Sequence, residues 1–200
     1  MKNETADLIC DFTGGAVGHR LRAGGGRGQA LPRAAGFTKG RTPQMVDATA
    51  GLGRDAFLLA SLGAEVTLIE RSAQVHALLE DGMARARDAD GDAAIAISRM
   101  TLILGDAKTL LPEIAAEVVL VDPMHPPRGN SALVKKEMRQ LRDVVGADED
   151  ALELMQIALA TASKRVVLKW PLRAALMPGL APPSHQIRGK STRYDVFMTG

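Results

Sequence analysis

The chain has 200 residues, 46% hydrophobic and 24% charged, with one cysteine and a formal charge of +2. That is globular composition with enough chain to bury a core, and it excludes a disordered protein, an internal disulfide and a membrane span of roughly 18 apolar residues. With no signal-like N-terminus and no Cys/His cluster of zinc-ligand spacing, the expectation is a cytoplasmic globular protein without metal or membrane partner.

Residues 1–44 differ from the rest. Gly14-Gly15 and Gly24-Gly25-Gly26-Arg27-Gly28 leave little side chain to pack, so this stretch reads as a basic, glycine-rich N-terminal arm ahead of a domain over 45–200. Charge is segregated too. Residues 12–46 hold six basic side chains (among them Arg20, Arg22 and Arg27) and no acidic one; residues 154–194 hold seven, Lys169 among them, and again no acidic one. Such clustering is the footprint of a polyanion binder if the two segments meet in space, and otherwise of two solvated faces. Aromatics at 3% argue against a broad base-stacking platform.

After Pro43 the pattern alternates. Residues 45–49 read as a buried strand running into a glycine loop, 54–62 as a helix closed by Gly63, and 66–70 as a second strand. Ser72 is the N-cap of a helix to about 87. Residues 101–104 and 118–121 are strands three and four, and 132–145 reads as a helix stopped by Gly146. Asp148 or Asp150 caps a helix to about 162, and 165–169 is strand five. Residues 186–188 and 194–198 suit a terminal antiparallel pair. The fold expected is α/β: a mainly parallel seven-stranded sheet, helices on both faces, and an antiparallel C-terminal strand pair.

The chemistry sits at the strand ends. Asp47-Ala48-Thr49-Ala50-Gly51-Leu52-Gly53-Arg54-Asp55 joins strand one to helix one, where two glycines let a ligand approach the backbone and a helix N-terminus offers free N–H groups. Glu70 ends strand two, 19 residues after Gly51, where a carboxylate can accept the hydroxyls of an adenosine ribose. This identifies a nucleoside and serves NAD and S-adenosylmethionine equally; the plain alternative is a surface glutamate paired with Arg71. Asp106, after strand three, is placed for an adenine amino group or for a helix N-cap. Asp122-Pro123-Met124-His125-Pro126-Pro127 ends strand four. Three prolines in five residues stiffen the loop, and Asp122 with a loop carbonyl can hold a planar exocyclic amine while His125 stacks on the base. Beyond it, Lys135, Arg139 and Arg142 fall on one helical face with Lys136 beside them, a candidate contact for RNA phosphates or a solvated face.

In this order the motifs resemble class I S-adenosylmethionine-dependent methyltransferases, a Rossmann-like fold. Asp11-Phe12-Thr13-Gly14-Gly15, the Gly24–Gly28 run, residues 46–57, Ser131-Ala132-Leu133-Val134-Lys135-Lys136-Glu137-Met138-Arg139 and Lys164-Arg165-Val166-Val167 are similar, more narrowly, to the ribosomal RNA small subunit methyltransferase J family. The resemblance implies methyl transfer from S-adenosylmethionine to N2 of guanosine 1516 in 16S rRNA, with 16S rRNA or the small ribosomal subunit as partner. Carried over by position, cofactor contacts are Arg54, Asp55, Glu70, Arg71, Asp106, Ala107 and Asp122, beside Asp47, Gly51 and Gly53 of the loop. Asp122, Pro123, Met124 and His125 form the catalytic segment, and Arg20, Arg22, Arg27, Lys135, Lys136, Arg139 and Lys169 the RNA contacts. The family usually has an aromatic residue where His125 stands, and Lys-Arg-Pro where this chain has Lys169-Trp170-Pro171.

Two other readings stay open on the sequence. Gly51-Leu52-Gly53-Arg54-Asp55-Ala56 with Glu70 also fits an NAD-dependent oxidoreductase. A non-catalytic RNA-binding or assembly module would keep the basic segments and only a vestigial cavity.

Overall fold

A computed structural model of the chain describes residues 9–14, 26–89, 91–123 and 150–200. Seven strands form one sheet: β1 (Met45–Asp47), β2 (Val66–Glu70), β3 (Met100–Leu104), β4 (Val118–Val121), β5 (Arg165–Pro171), β6 (His185–Arg188) and β7 (Thr192–Met198). Their order is β3-β2-β1-β4-β5-β7-β6. The first five run parallel, and β7 runs antiparallel to both β5 and β6. The chain leaves β1 toward β2 on one side and reaches β4 on the other. The direction of winding therefore reverses between β1 and β4, which is where an open α/β sheet forms its ligand crevice.

Alternation along the central strands divides two cores. Met45, Val118 and Leu120 join Phe57, Leu59 and Leu79 on one face. Val46, Val119 and Val121 join Ile69, Leu111 and Met155 on the other. Strands buried on both faces read as continuous apolar runs, which is why β4 is plain in the sequence as Val-Val-Leu-Val. The helices are α1 (Ala30–Ala34), α2 (Arg54–Ser61), α3 (Ala73–Asp88), α4 (Asp92–Ile97), α5 (Ala107–Leu110) and α6 (Ala151–Thr161). Ser72 caps α3 by accepting from the Val75 N–H at 3.4 Å. The helix expected over 132–145 lies outside the described residues.

Three short helices are invisible in the sequence pattern: α1, α4 and α5 span four to six residues each, too few for a helical period to show. The described part of residues 1–44 is built into the fold. Cys10, Phe12, Leu31 and Phe37 are buried in the same core as the sheet, and α1 packs on β6 and β7. The Phe12 and Phe57 ring centroids lie 4.7 Å apart. Residues 9–14 cross α3 at Gly82, where an added Cβ would stand 2.6 Å from the Cys10 carbonyl. Burial pushes the Cys10 thiol up to about 12, and it stays protonated as a donor to the Leu52 carbonyl at 3.2 Å.

Candidate active site

The loop after β1 is tied to both neighbouring strands. The Ala48 N–H donates to Leu120 O at 2.9 Å and the Ala50 N–H to Ile69 O at 3.1 Å. Gly53 ends the loop at φ 65, and a Cβ there would meet Leu79 Cδ1 at 2.7 Å. That glycine is set by backbone conformation and by packing onto α3. Glu70, buried at the end of β2, accepts from the Gly51 N–H at 2.9 Å through Oε2 and from the Ser72 N–H at 2.8 Å through Oε1. A carboxylate oxygen can accept more than one hydrogen bond, so shaping the loop and receiving a ribose hydroxyl are compatible roles for Glu70.

Arg71 pairs with Asp150 at 3.1 Å. Asp150 stands at the N-cap of α6 without making a side-chain cap. Its carboxylate is taken by Arg71 and by Lys108 Nζ at 2.9 Å, and the hydrogen bond from Lys108 leads in holding its pKa below the ordinary value. Lys108 also reaches Glu153 at 2.8 Å. Asp106 realises the N-cap reading by accepting from the Lys108 N–H at 2.9 Å, and it lines the cavity as well.

At the switch point three carboxylates meet one lysine. Lys169, near the end of β5, places Nζ 2.7 Å from Asp55 Oδ2 and 2.6 Å from Asp122 Oδ2. Burial works against the ammonium, but the two charges and the hydrogen bonds to them outweigh it and raise its pKa. The Asp122 N–H donates to Thr49 Oγ1 at 2.7 Å, which fixes the end of β4 against the loop after β1. Asp47, 3% exposed, accepts from the Thr49 N–H at 3.2 Å. Burial, with Asp55 and Asp122 adding to it, pushes Asp47 up to about 7.

These groups surround a cavity of about 270 Å³, many times the roughly 30 Å³ that one water occupies. Of the expected cofactor residues, Asp47, Gly51, Arg54, Asp55, Glu70, Arg71, Asp106, Ala107 and Asp122 all line it, and Gly53 does not. Lys108, Asp150 and Leu154 line it too, and the sequence did not mark them as site residues. Lys108 meets Glu153 across 45 residues and Asp150 meets Arg71 across 79, and no local pattern points to them. Pro123 follows Asp122 and is buried. Met124, His125, Arg20, Arg22, Lys135, Lys136 and Arg139 lie outside the described residues. Two of the cations expected on RNA phosphates have their charge committed elsewhere. Lys169 is locked between carboxylates inside the cavity. Arg27 donates to the carbonyls of Thr38, Arg41 and Leu62 and to Thr42 Oγ1, with Phe37 against its guanidinium.

The donor set fits an adenosyl sulfonium: a carboxylate for the ribose, a glycine loop with backbone N–H groups, and a surplus of carboxylates over cations where positive charge would sit. Fold and site together define a class I S-adenosylmethionine-dependent methyltransferase, and a family model described as SAM-dependent methyltransferase matches residues 1–199. This sets aside the oxidoreductase reading. The chain is 70% identical over 198 residues to ribosomal RNA small subunit methyltransferase J of Agrobacterium fabrum, covering 99% of this chain and 95% of that one. It is 68% identical over 197 residues to the protein of that name from Brucella anthropi, covering 98% and 96%. Among solved structures, the SAM-dependent methyltransferase from Neisseria gonorrhoeae superposes with a TM-score of 0.78 at 35% identity, over all of this chain and 77% of that one. The chain belongs to the ribosomal RNA small subunit methyltransferase J family.

Proposed function

We propose that this enzyme methylates the exocyclic N2 of a guanosine in 16S rRNA, guanosine 1516 by family resemblance. The observation that carries the reading is Asp122: a carboxylate at the switch point, followed by the buried Pro123, held from one side by Lys169 and from its own backbone by Thr49. When bound, S-adenosylmethionine supplies an electrophilic methyl on sulfur and leaves as S-adenosylhomocysteine. Asp122 accepts an N–H of the target amine and aims its nitrogen lone pair along the line of displacement. As the N–C bond forms, positive charge grows on nitrogen, and the fixed carboxylate stabilises it. The proton then passes to Asp122 or to solvent, since the methylated amine is acidic once its conjugation with the ring is lost.

In this scheme Lys169 is a positioning residue. Without its charge, Asp47, Asp55 and Asp122 would repel one another and hold protons to higher pH. Pro123 fixes the backbone behind Asp122, and Met124 and His125 continue the segment that meets the base. The test is single-turnover methyl transfer to 16S rRNA fragments and 30S subunits at saturating cofactor, with the modified nucleotide mapped by mass spectrometry. Methylation at another atom or on another RNA would overturn the assignment.

A further inference from the structure

The two acid-free segments supply thirteen basic side chains, and all but Arg20 and Arg22 are described. Six serve the fold. Arg27 clasps the carbonyls named above, Arg41 and Lys164 share Glu117, Arg165 donates to Ala34 O, Lys169 spans two aspartates, and Arg193 pairs with Asp195. Arg33, Lys39, Arg173, Arg188 and Lys190 are exposed, and none has a carboxylate partner among the described residues. The structure thus separates cations that are indistinguishable in the sequence.

Three of these five are held together by a buried device. Arg193 and Asp195, 4% and 1% exposed, pair at 2.9 and 3.1 Å, and Gln186 Nε2 donates to Asp195 Oδ1 at 2.6 Å. The Arg193 guanidinium then donates to the carbonyls of Pro171, Leu172, Ala174 and Ala175. The Leu172 N–H reaches Ser191 O at 3.3 Å, and the Gly189 N–H closes the β6–β7 turn on Thr192 O at 2.7 Å. The segment after β5, which carries Arg173, and the hairpin tip, which carries Arg188 and Lys190, are therefore one rigid piece. Its place follows from register. Pro171 faces Thr192 and Trp170 faces Arg193, so the tip lies at the same sheet end as Lys169 and the cavity. β6 stands two strands from β5, roughly 10 Å away.

We propose that Arg173, Arg188 and Lys190 form a preset cationic rim that grips the sugar-phosphate backbone of the rRNA beside the target nucleotide. The inference rests on the rRNA reading above. A polyanion is the partner that this chemistry recognises: fixed cations without a counter-charge among the described residues, next to a crevice for a base, on a stretch of sequence with no acidic residue from 154 to 194.

The experiment uses the full chain carrying Arg173→Ala, Arg188→Ala and Lys190→Ala together, the single variant Lys190→Ala, and a 16S rRNA fragment or 30S subunit as ligand across a potassium chloride series. The triple variant should bind RNA at least tenfold more weakly. The slope of log K against log salt should flatten by about 0.7–0.9 for each phosphate that the rim no longer neutralises. S-adenosylhomocysteine affinity and the single-turnover rate at saturating RNA should stay within about twofold of wild type, and Lys190→Ala should show a fraction of the same slope change. Unchanged affinity and slope in a triple variant that still binds S-adenosylhomocysteine would overturn the rim, as would a wild-type chain that binds no RNA. A wild-type chain that binds rRNA through the rim but methylates a different nucleotide would instead overturn the target assignment and leave the rim standing.

Discussion

The two halves of the sheet carry opposite charge at the same end. The strands β1 and β2 finish on Asp47 and Glu70, Asp122 directly follows β4, and Asp106 stands two residues past β3. The half formed by β5, β7 and β6 presents Lys169, Arg173, Arg188 and Lys190. The first half is shaped for a cationic cofactor and the second for a polyanionic substrate. Lys169 stands at the seam, a cation of the second half spent on carboxylates of the first. Charge type alone does not assign a role: Lys169 and Arg188 come from the same acid-free segment, yet Lys169 on β5 meets Asp55 and Asp122 at the cavity while Arg188 ends β6, two strands away.

Removing Asp122 should break the acidic half most severely. Asp122→Ala is expected to lower the single-turnover rate on the order of a hundredfold or more while RNA affinity falls far less. Rates at saturating cofactor measure this, and an effect of only a few-fold would mean that another group holds the amine.

Glu70→Ala probes the same half on the cofactor side. It should weaken S-adenosylhomocysteine by about 1.5–3 kcal/mol, the usual worth of a hydrogen bond to a charged group. Calorimetric titration reads the change; a folded variant with wild-type affinity would put the ribose elsewhere.

At the seam, Lys169→Met should reduce the rate about tenfold near neutral pH, because it leaves Asp55 and Asp122, with the buried Asp47 beside them, without their counter-charge. It should also move the acid limb of the pH–rate profile to higher pH. Lys169→Arg should restore most of that limb, and a profile unmoved by Lys169→Met would deny the lysine any hold on Asp122.

The smallest effect concerns stability. The pKa of Asp47 rises from 3.8 to about 7 on folding, so the folded chain holds a proton that the unfolded chain releases, and stability falls as pH climbs through that window. Asp47→Asn keeps an acceptor for the Thr49 N–H and cannot ionise. It should raise Tm by about 2–4 °C at pH 8, roughly 1 kcal/mol, and by less at pH 4. Thermal melts without cofactor at both values test the sign.

The parallel half is legible in the sequence because its strands are apolar runs punctuated by glycine, and its carboxylates fall at their ends. Asp47, Glu70, Asp106 and Asp122 can be placed at the cavity from local order alone. The roles of cations cannot. Arg27 meets Leu62 and Lys169 meets Asp122 across 35 and 47 residues, and no periodicity reports a contact between elements that are distant in the chain. Asp150 shows the same limit: it looks like a helix cap, and its carboxylate pairs instead with Arg71 and Lys108, which other strands bring near. The arm divides along similar lines. Its glycines suggest loops, while Phe12, Leu31 and Phe37, spread too far apart to form a pattern, carry it into the core.

Among the described residues the strand β6 is also an edge of the sheet, exposed at His185, Gln186 and Arg188 and preceded by Pro182-Pro183. Unpaired edge groups invite a strand from another molecule, and charged side chains and proline are the usual guards against it. Arg188, one of the cations offered to RNA, lies on this strand and therefore also guards it against pairing edge to edge with another copy. Arg188→Glu preserves that guard, whereas Arg188→Val or Arg188→Ile would remove the charge from the edge and trade RNA affinity for self-association.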